Sequence, residues 1–234
     1  MDLMPPAEPN IQRILNQHDS EGGNSTNASL RKLFVNLNNE ENIHEVTIKV
    51  AALNQIYSTS IQYITPVAFK IFENIKNTHK YNNINEYVSL VDTISTVTWI
   101  SQNTSKKHTR CNMSFSSKYI HFLNGYLTPI YDSYIWILLI GYLNQNNTKK
   151  SSFKSPTNYN EFYAVFTKFR NEFSLESYST YEIDKFLWQY GKNLINEIIN
   201  VDGVTLDKAK SILRRRITTE SNDPIRHSTK PNAR

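Results

Sequence analysis

The chain has 234 residues with a net charge of +5, and 39% of its residues are hydrophobic. This length allows a substantial core, and the 12% aromatic content, with 14 Tyr and 11 Phe, argues against intrinsic disorder. Cys111 is the only cysteine, which excludes an intrachain disulfide and a four-cysteine zinc or iron–sulfur site. The positive charge suits an anionic partner.

The sequence lacks the patterns of export and membrane insertion. Its start, with Asp2, Pro5 and Pro6, does not have the basic and then apolar order of a signal peptide. The most apolar window, residues 134–143, is shorter than the roughly 20 residues that span a bilayer. We therefore expect a cytoplasmic monomer with no membrane role.

The first half of the chain contains several apolar stripes at helical spacing. Residues 1–27, with their prolines and paired glycines, are predicted to form a mobile arm. Ser29 is the predicted N-cap of the first long helix, which runs through Leu37. Further stripes predict helices over residues 40–57, 67–75 and 85–100, of which the second begins at Pro66.

A polar loop over residues 101–109 precedes the second half, which also has helical periodicity. After the segments containing Lys118 and Asp132, a polar linker spans residues 144–156. The remaining helices are predicted over residues 159–173, 180–199 and 206–217, and residues 218–234 have the composition of a tail. No alternating run predicts a strand, so the fold class is all-α. The expected parts are a mobile arm (1–27), a helical domain (28–200) and a basic C-terminal helix with its tail (201–234).

Basic residues form two groups with no acid inside either group. The first comprises Lys106, Lys107, Arg110 and Lys118, and the second comprises Lys208, Lys210, Arg214, Arg215 and Arg216. Each group fits contact with an anionic partner, and each also fits an ordinary solvated face.

Lys118 and Asp132 are each predicted at the head of an apolar helix. A lysine beside the positive end of a helix, in a low-dielectric pocket, has a lowered pKa and becomes available as an amine nucleophile. An amine nucleophile with an aspartate as electrostatic partner suits cleavage of a glycosidic bond. Taken singly, Lys118 also fits a surface lysine and Asp132 fits a helix N-cap.

Together the two segments resemble the helix-hairpin-helix DNA glycosylase superfamily, in which a hairpin ends in a catalytic lysine and an aspartate follows at the head of another helix. Lys118-Tyr119-Ile120 is similar to the lysine segment, and Pro129 to Ile135 is similar to the aspartate segment with one residue inserted. Leu53 to Thr59 resembles the family's Leu-Ser-Gln-Gln-Thr helix more loosely. The resemblance covers roughly residues 45–200.

Three departures define the kind of member that is expected. The sequence from Asn112 to Ser117 replaces the usual Gly-rich hairpin, and Tyr134 replaces the histidine that follows the aspartate. The missing cysteine cluster excludes the iron–sulfur branch. We expect a helix-hairpin-helix glycosylase-like domain with a degenerate hairpin, closest to oxoguanine-type and bacterial antiviral glycosylases.

The resemblance implies an enzyme that flips a modified base out of double-stranded DNA and cleaves its N-glycosidic bond, in repair or in defence against phage. Lys118 would attack C1′ and leave a Schiff base that leads to strand cleavage, and Asp132 would stabilise positive charge on the sugar. No metal or organic cofactor is implied. DNA contacts are assigned to Asn54, Gln55, Tyr57, Lys106, Lys107, Arg110, Ser116 and Ser117, and one of the first three would fill the gap in the base stack. The base pocket is assigned to Tyr134, Tyr181, Asp184 and Trp188.

Two other kinds of function fit the same sequence. A non-catalytic helical DNA-binding module would use the basic groups, with Lys118 on a phosphate. A helical interaction protein would have no nucleic-acid role. Trp188 equally fits plain core packing.

Overall fold

The computed structural model of the chain describes residues 1–75, 83–100 and 105–220. Within these ranges the chain forms helices and one two-stranded sheet, and the fold class is all-α as predicted. The helices are α1 (Glu8–Ser20), α2 (Gly23–Asn36), α3 (Ile43–Tyr57), α4 (Ile64–Ile75), α5 (Ile84–Ser95), α6 (Met113–Leu123), α7 (Ser133–Asn146), α8 (Tyr159–Glu172), α9 (Thr180–Asp202) and α10 (Leu206–Glu220). The strands are β1 (Thr96–Ile100) and β2 (Lys107–Cys111). None of the helices in these ranges is long and apolar enough to cross a membrane.

The predicted mobile arm over residues 1–27 is wrong, because most of it is helical and packed. Ile11, Ile14 and Leu15 form an apolar stripe that is buried where α1 contacts α9. Ahead of α1, the amide of Met4 donates to the Tyr190 hydroxyl at 2.9 Å. The high proline and glycine content therefore marks the ends of α1 rather than an unstructured segment.

The start of α2 also differs from the prediction. Ser29 is not an N-cap, because the helix begins at Gly23 and the Ser29 hydroxyl donates to the carbonyl of Ser25 within it. Gly22, at the N-cap position, has φ +84°, a left-handed conformation that glycine adopts without strain. The turn between α1 and α2 thus depends on glycine at this position.

The helices predicted near residues 40–57, 159–173, 180–199 and 206–217 are confirmed with shifted ends. Local capping explains two of the starts: the Asn42 side chain accepts from the amide of His44 at 3.0 Å, and Ser179 forms a capping box with Glu182. Residues 221–234, most of the predicted tail, lie outside the described residues.

The prediction of one helix over residues 85–100 is wrong for its last part. The helix α5 ends at Ser95, and β1 pairs with β2 in an antiparallel register that places Trp99 opposite His108. The run from Thr96 to Ile100 consists of β-branched and aromatic residues, which favour a pleated strand over a helix. Part of the predicted polar loop is therefore β2, and residues 101–104 lie outside the described residues.

The centre of the molecule is formed by α6 and α7. Every residue of α7 from Ile135 to Asn144 is buried, and the helix packs against α8, α9 and α10. Gly191 permits the close approach of α9, because a Cβ there would lie 2.9 Å from the Cβ of Tyr134. The helix α6 is likewise almost fully buried against α2, α3 and α5. In the link between α6 and α7, Thr128, Pro129 and Ile130 are buried, whereas Leu127 is exposed.

A buried ion pair anchors one side of α6. Lys49 on α3 contacts the Glu40 carboxylate, and its Nζ also donates to the carbonyl of Leu37 at 2.9 Å. The Tyr119 hydroxyl donates to the other Glu40 oxygen at 2.8 Å. Because Lys49 and Glu40 are almost completely shielded from solvent, breaking the pair would leave a buried charge without a partner.

Candidate active site

Lys118 lies inside α6 rather than at its start, which corrects the predicted position. Its second-turn location follows from the helix beginning at Met113. The side chain is 4% exposed, and Nζ donates to Oγ and O of Ser114 at 2.8 and 3.3 Å. Nζ also lies 5.4 Å from the centre of the Tyr57 ring. Among the described residues no carboxylate oxygen lies within 4 Å of Nζ, so this buried cation is not held in an ion pair.

Asp132 is the N-cap of α7, as the alternative interpretation of its segment predicted. Its Oδ1 accepts from the amide of Tyr134 at 2.8 Å. This bond at the start of the helix fixes the direction of the Asp132 side chain. Within the described part of the chain Oδ2 has no hydrogen-bond partner, so capping leaves one oxygen free for chemistry.

The segment before Asp132 is held at three consecutive residues. The carbonyl of Pro129 accepts from the Tyr159 hydroxyl at 2.5 Å, and the amide of Ile130 donates to Asp184 Oδ1 at 2.8 Å. The amide of Tyr131 donates to the Ser117 hydroxyl at 3.0 Å. Since Ser117 adjoins Lys118, the lysine helix and the aspartate segment are fixed to each other.

Lys118 and Asp132 line one cavity of about 220 Å³. Of the residues that the sequence assigned to DNA contact or base recognition, Tyr57, Tyr181, Asp184 and Trp188 line it too. The remaining lining residues are His18, Glu21, Gly22, Gly23, Thr26, Asn27, Ile56, His121, Ile130 and Lys185. Residues distant in the sequence thus share a partly enclosed space with aromatic walls and several charged groups.

Burial moves the pKa values of Lys118 and Asp184 in opposite directions, and in both groups it favours the uncharged form. Burial lowers the pKa of Lys118, although the negative charges of Asp132 and Asp184 oppose that effect. Burial raises the pKa of Asp184 to about 8, against the amide of Ile130 and the charge of Lys118. At neutral pH the Asp184 carboxyl is therefore mostly protonated, and the uncharged amine of Lys118 is more populated than it would be in water.

Aromatic rings form one wall of the cavity. Tyr181 stacks on Tyr126 with centroids 4.4 Å apart and planes at 10°, and the ring of His121 lies 4.8 Å from Tyr126. The Nδ1 of His121 donates to the carbonyl of Thr128, and burial lowers the pKa of this histidine to about 4. His121 is therefore neutral at pH 7, with Nε2 unprotonated.

Another part of the cavity lining is formed where α1 meets α2, which the sequence interpretation had placed in the mobile arm. Asn27 Oδ1 accepts from the Tyr57 hydroxyl at 2.8 Å, and the His18 ring meets Trp188 edge-on with centroids 6.2 Å apart. A Cβ at Gly23 would lie 2.2 Å from the His18 ring. The apolar spacing of α1 and the paired glycines were the signals that could have identified this wall.

Several predicted site residues lie elsewhere. The Asn54 side chain closes the turn after α3 by bonding the amide and carbonyl of Ile61, and Gln55 is exposed outside the cavity lining. Tyr134 packs beneath Lys210, whose Nζ is 5.4 Å from its ring centre, and is also absent from the lining.

The predicted phosphate contacts divide into two sets. Ser116 and Ser117 are 1% and 0% exposed, so their predicted contacts with phosphate are wrong. The helix α6 begins before them and turns both side chains inward. Lys106, Lys107 and Arg110 are exposed on or beside β2, outside the cavity lining.

Among the described residues, no group of three or more His, Cys, Asp or Glu side chains is arranged to hold a metal ion.

Comparison with known proteins identifies one matching family model, whose description names no activity. No curated protein and no solved structure matches the chain. The HI_0787_N family model, described as an N-terminal domain, matches residues 10–127, just over half of the sequence. The match includes Lys118 and the wall formed by α1 and α2, and it ends before Asp132 and Asp184. The chain belongs to the HI_0787_N family.

Proposed function

We propose that this protein is a DNA glycosylase that cleaves the N-glycosidic bond of a modified base in double-stranded DNA. The observation that carries the proposal is the convergence of Lys118 and Asp132 on one cavity, with the lysine buried and free of an ion pair. A nucleotide flipped from the duplex would bring its sugar between the two groups. The element that precedes the lysine helix α6 is the strand β2, so the cavity carries this proposal without a helix-hairpin-helix element.

The two groups have different tasks in this reaction. Asp132 stabilises positive charge that develops on the sugar as the bond to the base breaks, since its free oxygen is fixed at the start of α7. Lys118, whose pKa is lowered by burial, attacks C1′ as an amine. The Schiff base that results allows strand cleavage by β-elimination, so the enzyme combines base release with lyase activity.

Ile56 is the residue best placed to enter the base stack after flipping. Tyr57 is largely buried with its hydroxyl bonded to Asn27, and Asn54 is committed to the turn that follows α3. Ile56 is 45% exposed and lines the cavity. An apolar side chain at a cavity mouth can wedge between base steps, so we assign this role to Ile56 in place of Asn54, Gln55 and Tyr57.

Borohydride trapping on abasic-site DNA tests the lysine. We expect a covalent adduct with the wild-type protein, its loss in Lys118→Gln, and its retention in Lys185→Gln. Lys185 is the matched control because it lines the same cavity but contacts Asp19 and Asn24. An adduct that persists in Lys118→Gln and maps to another lysine would exclude the assigned nucleophile.

A substitution at the carboxylate tests base release separately. Asp132→Asn should keep DNA binding and lower base release by about 100-fold or more, because the amide carries no charge but retains an oxygen for the cap. The measurement is release of oxidised, alkylated, deaminated or sugar-modified bases from a panel of oligonucleotides and phage genomes. Release at the wild-type rate would remove Asp132 from the mechanism.

A non-catalytic DNA-binding module is the second candidate. The observation in its favour is that Lys106, Lys107 and Arg110 are exposed together near β2. Salt-sensitive DNA binding with neither adduct nor base release would support the module. Failure to bind DNA at any salt concentration would exclude both candidates.

A further inference from the structure

Asp184 is a second carboxyl group in the same cavity, in surroundings unlike those of Asp132. It lies on α9 and is 6% exposed, whereas Asp132 is half-buried at a helix start. Its Oδ1 accepts from the amide of Ile130, and among the described residues Oδ2 has no hydrogen-bond partner and no cation within 4 Å. A buried carboxyl without a counterion avoids the cost of desolvated charge by keeping its proton.

The groups around Asp184 come from five parts of the fold. They are Tyr57 on α3, Lys118 on α6, Asp132 ahead of α7, Tyr159 on α8 and Tyr181 on α9. The other ionisable groups that line the cavity are His18, Glu21, His121 and Lys185. Lys118 favours ionised Asp184, but the burial of Asp184 and the charge of Asp132 oppose it and together have the larger effect. A deeply buried carboxyl group that shares a cavity with a half-buried one is the usual arrangement for dividing acid and charge-stabilising roles.

We propose that Asp184 holds a proton in the cavity and donates it to the departing base while Asp132 stabilises the sugar. This role rests on the proposed glycosylase activity and adds a proton donor to it. As the bond between C1′ and the base nitrogen breaks, its electron pair leaves with the base, and the proton of Asp184 passes to the base. Asp184 then becomes a carboxylate.

The Lys118 amine returns a proton to Asp184 after the base has left. Its lone pair forms a bond to the electron-deficient C1′, and the nitrogen gains a positive charge. Loss of one N–H proton from that nitrogen to the Asp184 carboxylate restores the acid. Base release as far as the covalent intermediate needs no further reactant, because one proton leaves Asp184 with the base and one returns to it from Lys118. Water then hydrolyses the Schiff base and frees the lysine.

A positioning role for Asp184 has to be separated from proton donation. Through the amide of Ile130 the carboxyl also holds the segment that leads to Asp132. Asp184→Asn keeps an oxygen that can accept from that amide and an N–H₂ group that can donate a hydrogen bond, but it cannot transfer a proton. Positioning predicts little loss in this variant, whereas proton donation predicts a large one.

The deciding experiment is single-turnover base release as a function of pH. With wild-type protein we expect the rate to fall as pH rises above about 8, because the acid becomes deprotonated. Asp184→Asn should release base about 100-fold or more slowly at pH 7 and lose this alkaline decline. Asp92→Asn is the matched control, because Asp92 accepts amides at the start of α8 away from the cavity lining and its loss should leave the profile unchanged.

Direct titration of the wild-type carboxyl makes the result independent of how well the variant folds. With carbon-13-labelled aspartate, one side-chain signal should titrate near pH 8 and be absent from Asp184→Asn. Titration of Asp184 near pH 4 would overturn the proton-donor role even if base release depends on Asp132. No base release from any DNA, with the signal still near pH 8, would overturn the glycosylase and this role together.

Discussion

At the scale of single residues, the cavity contains two buried ionisable groups without ion-pair partners among the described residues, an arrangement that does not favour folding stability. Asp184 is buried without a cation, and Lys118 is buried without a carboxylate, although each is within electrostatic range of the other. A stable core would pair such groups or replace them. Their retention in one cavity is typical of a site in which ionisation is used for chemistry.

Asp184 should therefore make folding stability fall with rising pH. Its pKa is about 8 when folded and about 4 when unfolded, so unfolding releases a proton between these values. The contribution is fully present below about pH 4 and is lost as pH rises through about 8, by up to ~1.4 kcal/mol per pH unit. Asp184→Asn should lose this slope and have a higher Tm than wild type at pH 8.

Thermal unfolding of both proteins at pH 5, 7 and 9 checks the sign. Only the difference between wild type and variant matters, because the other titrating groups are common to both proteins. Parallel Tm curves would show that Asp184 ionises in the folded protein as it does in water.

At the scale of elements, local signals determined what could be predicted. The cap at Asp132 was predictable because it depends on neighbours in the sequence, and the stripes of α3 and α9 because helical period decides them. The strand β1 was missed because Val97 and Ile100 continue the apolar stripe of α5. Their β-branched side chains favour a strand, but the pairing that forms it depends on β2, which lies further along the chain. Burial of α1 was missed because α9, its partner, lies far along the chain.

In the candidate site, too, features set by sequence neighbours were predictable and features set by distant helices were not. Lys118 and Asp132 could be selected from the sequence, but their common cavity is lined by residues of α1, α2, α3, α6 and α9 and of the segment before α7. The inward direction of Ser116 and Ser117 depends on where α6 begins, which the sequence interpretation placed too late. The roles of residues with only local partners were therefore predictable, and those set by distant helices were not.

The junction between α1 and α2 offers a test of its structural role. Gly23→Ala should destabilise the fold by about 1–3 kcal/mol and disturb the cavity wall, because its Cβ would meet the buried His18 ring at 2.2 Å. Ser25→Ala, at an exposed position of the same helix, is the matched control. Urea unfolding measures the difference, and equal midpoints for the two variants would contradict tight packing at the junction.

At the scale of the whole molecule, two cations of α10 lie near the residues on either side of Asp132. Lys210 lies over the ring of Tyr134, and Arg214 is within electrostatic range of Tyr131. Among the described residues neither cation has a carboxylate within 4 Å. Arg110, Lys106 and Lys107 add further exposed charge near the strands. Under the proposed function, these cations would contact the phosphate backbone of DNA bound at the cavity.

Replacing Lys210 and Arg214 together with Ala should weaken DNA binding for all sequences alike. If each contacts one phosphate, the slope of log affinity against log salt should become shallower by about 1.8. Lys168→Ala is the control, because Lys168 is exposed and paired with Glu172 on α8. Titrations at several salt concentrations give the slope, and a double variant with the wild-type slope would place the DNA elsewhere.

The buried pair beneath α6 has a consequence for the order in which the protein opens. The Tyr119 hydroxyl donates a hydrogen bond to Glu40, and Glu40 in turn contacts Lys49. The neighbouring residue Lys118 lines the cavity. The helix cannot rotate the amine away without breaking the hydrogen bond from Tyr119 to the buried Glu40 carboxylate, so opening of this region should require extensive unfolding. The amides of α6 should consequently be among the slowest to exchange with deuterium, whereas those of the exposed strand β2 exchange early.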